Sequence, residues 1–211
     1  MIETATGLIL RTRPLTETSL IVHWLTPELG RLATVAKGAR RPKSPFAGKL
    51  DLFYLADFSF QRSRRSELHT LREVALKQMH AALRQDLGYV QQASYAAALI
   101  EQTTELETPL PEIFSLMAGF LKYLPTHPPQ PQTLFSFEIK LLSELGLQPD
   151  FEEDRLGPDI KQLLRIFLVS DWTALGRLKL SRAQVTELRQ FLHGFIIYHL
   201  GKIPLTRSRL V

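Results

Sequence analysis

The chain has 211 residues, 45% of them hydrophobic and 22% charged, with a net charge of +5 and a pI near 9.6. That is ordinary globular composition: it excludes a disordered or collagen-like chain, allows a core burying roughly 70% of the unfolded surface, and favours acidic partners. Cysteine is absent, which removes disulfides, thiolate metal sites and a cysteine nucleophile. No apolar run approaches the ~18 residues of a membrane span, and the opening MIETATGLILR lacks the parts of a signal peptide, so the expected compartment is the cytoplasm.

The charge is unevenly spread. Residues 1–75 hold 12 Lys and Arg against 7 Asp and Glu, residues 76–175 hold 7 against 13, and residues 176–211 hold 7 against 1. A polyanion is therefore expected at the two ends of the chain, with the acidic middle given to packing or protein contact.

Residues 6–75 read as five short strands. Alternation over 6–12 puts Leu8 and Leu10 on one face and Ile9, Arg11 and Arg13 on the other. A loop at 13–19 leads to a strand over 19–26 with Leu20, Val22 and Trp24 on one side. Pro27-Glu28-Leu29-Gly30 makes a turn in which glycine can take positive φ. The third strand follows, with Leu32, Thr34 and Ala36 facing away from Ala33 and Val35. It runs into a polar segment carrying Lys37, Arg40, Arg41, Lys43 and Lys49, with no acid before Asp51. The fourth strand spans 52–61, with Leu52, Tyr54, Ala56, Phe58 and Phe60 on its core face. A turn at 62–66 carries Arg62, Arg64 and Arg65, and a fifth strand covers 67–74.

Five strands with a long insert after the third match an OB-fold, a small barrel that binds oligonucleotides on its strand 2–3 face and its 1–2 and 4–5 loops. Periodicity alone leaves an SH3-like barrel open. The barrel brings the cations of strand 1, the 37–49 segment and the 62–66 turn into regions that one side of it could share. Among the aromatic residues, Phe46 and Phe53 are the candidates for stacking on bases, because Phe46 lies within the basic segment and Phe53 opposes the apolar face of strand 4.

From residue 79 the period becomes helical. Apolar stripes mark helices over 86–103, 112–124 and 134–145, the last ended by Gly146 and Pro149. Pro158 opens another, and Ser181 with Gln184 forms a capping box for the last, whose stripe is Val185, Leu188, Leu192, Phe195 and His199. The tail after Pro204 carries Arg207 and Arg209. The expected fold is α+β: an OB-fold domain over 1–78, then an all-α domain over 79–211 with a basic tail.

No enzyme is expected. The six histidines form no H-E-x-x-H pattern, the acids Glu152, Glu153, Asp154 and Asp159 read as helix-leading rather than Mg²⁺-binding, and no P-loop, dinucleotide or nucleophile-elbow motif occurs. No cofactor or metal is called for. The alternatives are a protein adaptor with a basic surface and an RNA-binding OB module.

Several motifs in order carry a further signal: RTRPLTETSLIV from Arg11, TPELGR from Thr26, VAKGARR from Val35, FAGKL from Phe46, FEIKLLSELG from Phe137 and LTRSR from Leu205. Together they resemble the bacterial recombination mediator family RecO, closely over 6–75 and more weakly across the helices. The resemblance implies an ATP-independent protein that binds single- and double-stranded DNA and anneals strands coated with single-stranded-DNA-binding protein (SSB). With RecR it would help RecA load, in a nucleoid-associated setting. It maps the family's basic barrel surface onto Arg31, Lys37, Arg40, Arg41 and Lys43, to which the strand reading adds Arg11, Arg13, Lys49, Arg62, Arg64 and Arg65. It also implies that the helical domain receives the SSB C-terminal tail, for which Phe135 and Lys140 occupy or follow the relevant slots. Two departures stand out: the four-cysteine zinc motif of many relatives is missing, and Phe135 and Ser136 replace arginines that often precede the Phe-Glu pair.

Overall fold

A computed structural model of the chain describes residues 1–150 and 156–211. The chain folds into two compact units, one of residues 1–81 and 104–118 and one of residues 82–103 and 119–211. The acids Glu152, Glu153 and Asp154 lie outside the described residues. No helix among those described is long and apolar enough to cross a membrane.

Five strands build the first unit: β1 (Ile2–Pro14), β2 (Leu20–Thr26), β3 (Gly30–Ala36), β4 (Leu55–Gln61) and β5 (Leu68–Gln78). They close into a barrel in the order β1-β2-β3-β5-β4. The long β1 serves two neighbours, pairing β4 from Ile2 to Leu8 and β2 from Leu8 to Pro14. The β3–β5 pair is parallel, with Ala33 opposite Leu68. A meandering SH3-like barrel has only antiparallel neighbours, so this is the OB-fold. Ile9, Val22, Trp24, Leu32, Ala36, Ala56, Phe58, Phe60, Leu71 and Val74 fill its interior, with Trp24 stacked on Phe58 at 4.1 Å.

Strict alternation fails at one place, and the failure decides where two arginines point. Between Ile9 and Arg11 the β1–β2 register slips, leaving Leu10 as a bulge. Ile9 opposes Trp24 and faces the interior, whereas Arg11 opposes His23 and Arg13 opposes Ile21, both on the outer face. Unbroken alternation would group Ile9 with the two arginines; one inserted residue separates them and keeps the cations out of the core.

The segment between β3 and β4 is neither strand nor helix. Hydrogen bonds from Arg41 to Gly38, Ser44 to Arg41, Ala47 to Ser44 and Lys49 to Phe46 make it a run of overlapping turns. β4 accordingly begins at Leu55, three residues later than alternation suggests.

The second unit contains α1 (Leu87–Thr103), part of α2 (Pro111–Tyr123), α3 (Pro131–Glu144), α4 (Pro158–Val169), α5 (Trp172–Leu175) and α6 (Arg182–Leu200). Residues 119–123 of α2 belong to this unit and 111–118 to the barrel unit. Pro158 stands in the first turn of α4, Ser181 and Gln184 form the capping box of α6, and Gly146 takes φ +71 after α3. The α6 stripe turns at its end: Leu188, Leu192 and Ile196 are buried while His199 is exposed.

In this unit α3 is buried from Gln132 to Ile139, including Glu138. Arg207, in a 3-10 turn over Leu205–Arg209, meets Glu138 in a bidentate pair at 2.6 and 2.9 Å, and the Tyr95 hydroxyl donates to the same carboxylate at 2.6 Å. Arg207 is 3% exposed and Glu138 0%. Burial alone would lower the guanidinium pKa, but the hydrogen bonds and charge of Glu138 outweigh it and raise it. Arg207 is thus an internal tie, not part of a solvated basic tail.

Candidate nucleic-acid interface

Register fixes where the cations of the barrel go. On the outer face, Arg13, Ile21 and Val35 form one cross-strand row and Arg11, His23 and Ala33 the next, with Arg31 opposite Leu25 one row further. His23 reports the field of this face. Half-burial, then the charges of Arg11, Arg13 and Arg31, push its pKa down from 6.5 to about 4. No carboxylate enters that balance.

The two basic loops lie at opposite ends of β3. Because Leu20 opposes Ala36, the loop at 15–19 lies beyond the C-terminal end of β3. Because β5 enters parallel with Leu68 opposite Ala33, the loop at 62–67 lies toward the Gly30 end. Six residues of strand put the ends of β3 about 20 Å apart. The basic residues thus gather in two clusters at opposite ends of β3, and the two differ in chemistry.

At the Ala36 end the cations are available. Lys37, Arg40, Arg41 and Lys43 are exposed on the overlapping turns, and Arg13 is exposed where β1 ends. None of the five makes an ion pair among the described residues. The Arg40 amide donates to Thr18 O at 3.0 Å and its guanidinium to Thr16 O at 3.3 Å, which fastens the turns to the 15–19 loop. Lys49 is half-buried further along. Arg11 is exposed two residues before Arg13.

At the Gly30 end much of the charge is already spent. Arg31 donates through Nε to Thr104 Oγ1 at 2.7 Å and through Nη2 to Thr104 O. Arg62 grips Glu3 with Nε and Nη2 at 2.7 and 2.9 Å and Glu107 with Nη1 at 2.7 Å. The hydrogen bond to Glu3, opposed by desolvation and helped by the charge of Glu107, raises the Arg62 pKa. Arg64 and Arg65 remain exposed. Thr104 and Glu107 had no signal in the sequence, since only the fold carries them to β3.

Three expected contact residues move into the interior, and a fourth is half-buried. Phe46 is 6% exposed and packs in the barrel core, where it anchors the basic turns from beneath. Phe53 is 2% exposed and holds φ +64 beside β1. Neither presents a ring to a base. In the helical unit Phe135 is fully buried, 6.3 Å from the Phe167 ring, so it offers no surface to a peptide. Lys140 donates to Leu168 O at 2.6 Å and lies 5.9 Å over Trp172, and burial lowers its pKa. Its ammonium is engaged within the unit rather than held out for a carboxylate. No cluster of three metal-ligating side chains exists among the described residues.

Fold and charge define a class: an OB-fold barrel with a basic rim at one end of β3, followed in the chain by a helical region. Family models agree with it. One described as "Recombination protein O N terminal" matches residues 1–80, and one described as "Recombination protein O C terminal" matches residues 84–156. The DNA repair protein RecO of Anaeromyxobacter sp. (strain K) is 35% identical over 144 residues, 68% of this chain and 57% of that protein. The namesake of Bacillus subtilis (strain 168) is 27% identical over 224 residues, covering 91% of this chain and 87% of its own length. That of Myxococcus xanthus (strain DK1622) is 33% identical over 136 residues, 64% and 55% respectively. The chain belongs to the RecO family. It spans little more than half the length of the Anaeromyxobacter and Myxococcus relatives it matches.

Proposed function

We propose that this protein is a DNA repair and recombination mediator that captures single-stranded DNA at its basic rim and anneals complementary strands coated with SSB. With RecR it would promote RecA loading, in the cytoplasm and at the nucleoid of a bacterium. One observation carries the reading: Arg13 at the end of β1, and Lys37, Arg40, Arg41 and Lys43 on turns pinned by Phe46 and by Arg40, are exposed at the Ala36 end of β3 without an ion pair among the described residues.

Such a rim works without catalysis. Cations held on an ordered scaffold release counterions when phosphates replace them, and that release supplies sequence-independent affinity. With Phe46 and Phe53 buried, base stacking contributes little, so the rim treats all sequences alike and accepts single and double strands through the same phosphates. Annealing follows when two captured strands lose part of their mutual repulsion at one surface.

The test is annealing of complementary oligonucleotides precoated with SSB, without ATP. Acceleration over the protein-free control is expected. No acceleration would contradict the annealing role, and a preference for RNA over DNA of the same sequence would redirect the reading to an RNA-binding OB module.

A further inference from the structure

We propose that Glu107 is a positioning residue for the 62–67 loop: it sets the loop's shape through His69 and Arg62, so that Arg64 and Arg65 form a second phosphate contact at the Gly30 end of β3. This rests on the DNA-binding reading above. Nothing in the sequence links residue 107 to a loop some forty positions earlier.

The seat comes first. Residues 104–110 lie against the start of β3, where β5 has not yet joined it. The Glu107 amide donates to Arg31 O at 3.0 Å and the Leu110 amide to Pro27 O at 3.0 Å, with Leu106 bridged to Arg31. Gly30, at φ +64, permits the approach: a Cβ there would stand 1.8 Å from Thr108 O. Glu107 itself takes φ +55, a conformation a non-glycine residue holds only when its surroundings fix it.

From this seat the carboxylate reaches β5 and the start of the loop that precedes it. Oε1 meets His69 Nε2 at 2.7 Å and Oε2 meets Arg62 Nη1 at 2.7 Å. On the far side of the imidazole the Ser63 amide donates to Nδ1 at 3.2 Å. Nδ1 must be bare to accept that bond, so Nε2 carries the proton given to Glu107. Glu107 therefore selects the tautomer that holds Ser63. Ser63 then organises the rest: its hydroxyl accepts from the Arg65 and Ser66 amides, both at 3.2 Å. His69 is buried at 1% exposure and stacked on Phe60 at 5.3 Å, so the ring cannot turn to compensate. The loop, His69 and Glu107 enclose a cleft of about 400 Å³ with Arg64 on its wall.

The electrostatic and positioning effects of Glu107 have opposite signs, which makes the idea testable. Removing a carboxylate raises the positive charge and by charge alone would tighten DNA binding. If Glu107 positions the loop, Glu107→Ala instead weakens single-strand binding by about threefold. In the free protein the Ser63, Arg65 and Ser66 amides should exchange about tenfold faster in Glu107→Ala, and the His69 ¹⁵N signals should leave the Nε2-protonated pattern. Glu107→Gln keeps an acceptor for Nε2 while giving up the pair with Arg62, and should restore the tautomer and the protection of the Ser63 amide. Thermal unfolding of both variants verifies that they are folded.

Unchanged exchange at 62–66 in Glu107→Ala would overturn the clip by itself. Equal or tighter DNA binding by folded Glu107→Ala would overturn its role in recognition. Failure of the wild-type protein to bind single strands would instead remove the DNA-binding reading and this role with it, while the exchange result would still judge the clip.

Discussion

The rim of the barrel and the C-terminal turn of the helical unit are both rich in basic residues, and they use them in opposite ways. Residues 37–43 hold four cations on exposed turns, none of them in an ion pair among the described residues. Arg207, in a tail with a higher surplus of cations, is buried on Glu138. Availability is therefore set by whether the fold delivers a carboxylate, and the same contrast recurs within the barrel between Lys37–Lys43 and Arg62.

The largest effect expected from this contrast is on stability. Arg207→Ala leaves the Glu138 carboxylate buried without its cation and should cost roughly 3–5 kcal/mol in denaturant unfolding. A loss below about 1 kcal/mol would mean that Arg207 is as solvated as a surface tail residue. Phe46→Ala comes next. Emptying an aromatic position in the barrel core should cost about 3 kcal/mol, and the variant that remains folded should bind DNA with an unchanged preference among base sequences. A selective loss for one base would restore Phe46 to stacking.

A smaller effect concerns pH. The His23 pKa is depressed in the folded barrel, so the unfolded chain takes up the proton first. Stability from this group is full above about pH 6.5 and is lost as the pH falls toward about 4. With the ring half-exposed the loss should be about 1 kcal/mol. NMR titration of the ring checks it, and bound single-stranded DNA should raise the value by offsetting Arg11 and Arg13. A free-protein pKa near 6.5 would deny the cationic field.

The sequence made the barrel legible wherever one strand face is buried and the other is wet. Leu32, Thr34 and Ala36 on β3 and Ala56, Phe58 and Phe60 on β4 obey the period of two, and Gly30, Pro158 and Ser181 mark their turns and caps by local chemistry alone. The bulge at Leu10 was not legible, because alternation assumes an unbroken register; the run Leu8-Ile9-Leu10 ahead of two arginines is the trace it leaves. Phe46 misled because its neighbours are polar while its ring anchors them. The fates of Arg62 and Arg207 were hidden for another reason. Their partners Glu3 and Glu138 lie 59 and 69 residues away in sequence, and no local pattern reports such a meeting.

The central claim is that available charge, not total charge, makes the DNA surface, and the salt dependence of single-strand binding tests it most directly. With Arg13, Lys37, Arg40, Arg41 and Lys43 each displacing a counterion, the rim should contribute about −3.5 to the slope of log K against log salt, and Lys37→Ala/Arg41→Ala/Lys43→Ala should flatten the measured slope by about 2. Arg62→Ala, whose own charge is already met by Glu3 and Glu107, should change the slope far less than the triple variant does. A triple variant with the wild-type slope, or an Arg62→Ala variant that flattens it as strongly, would contradict the account.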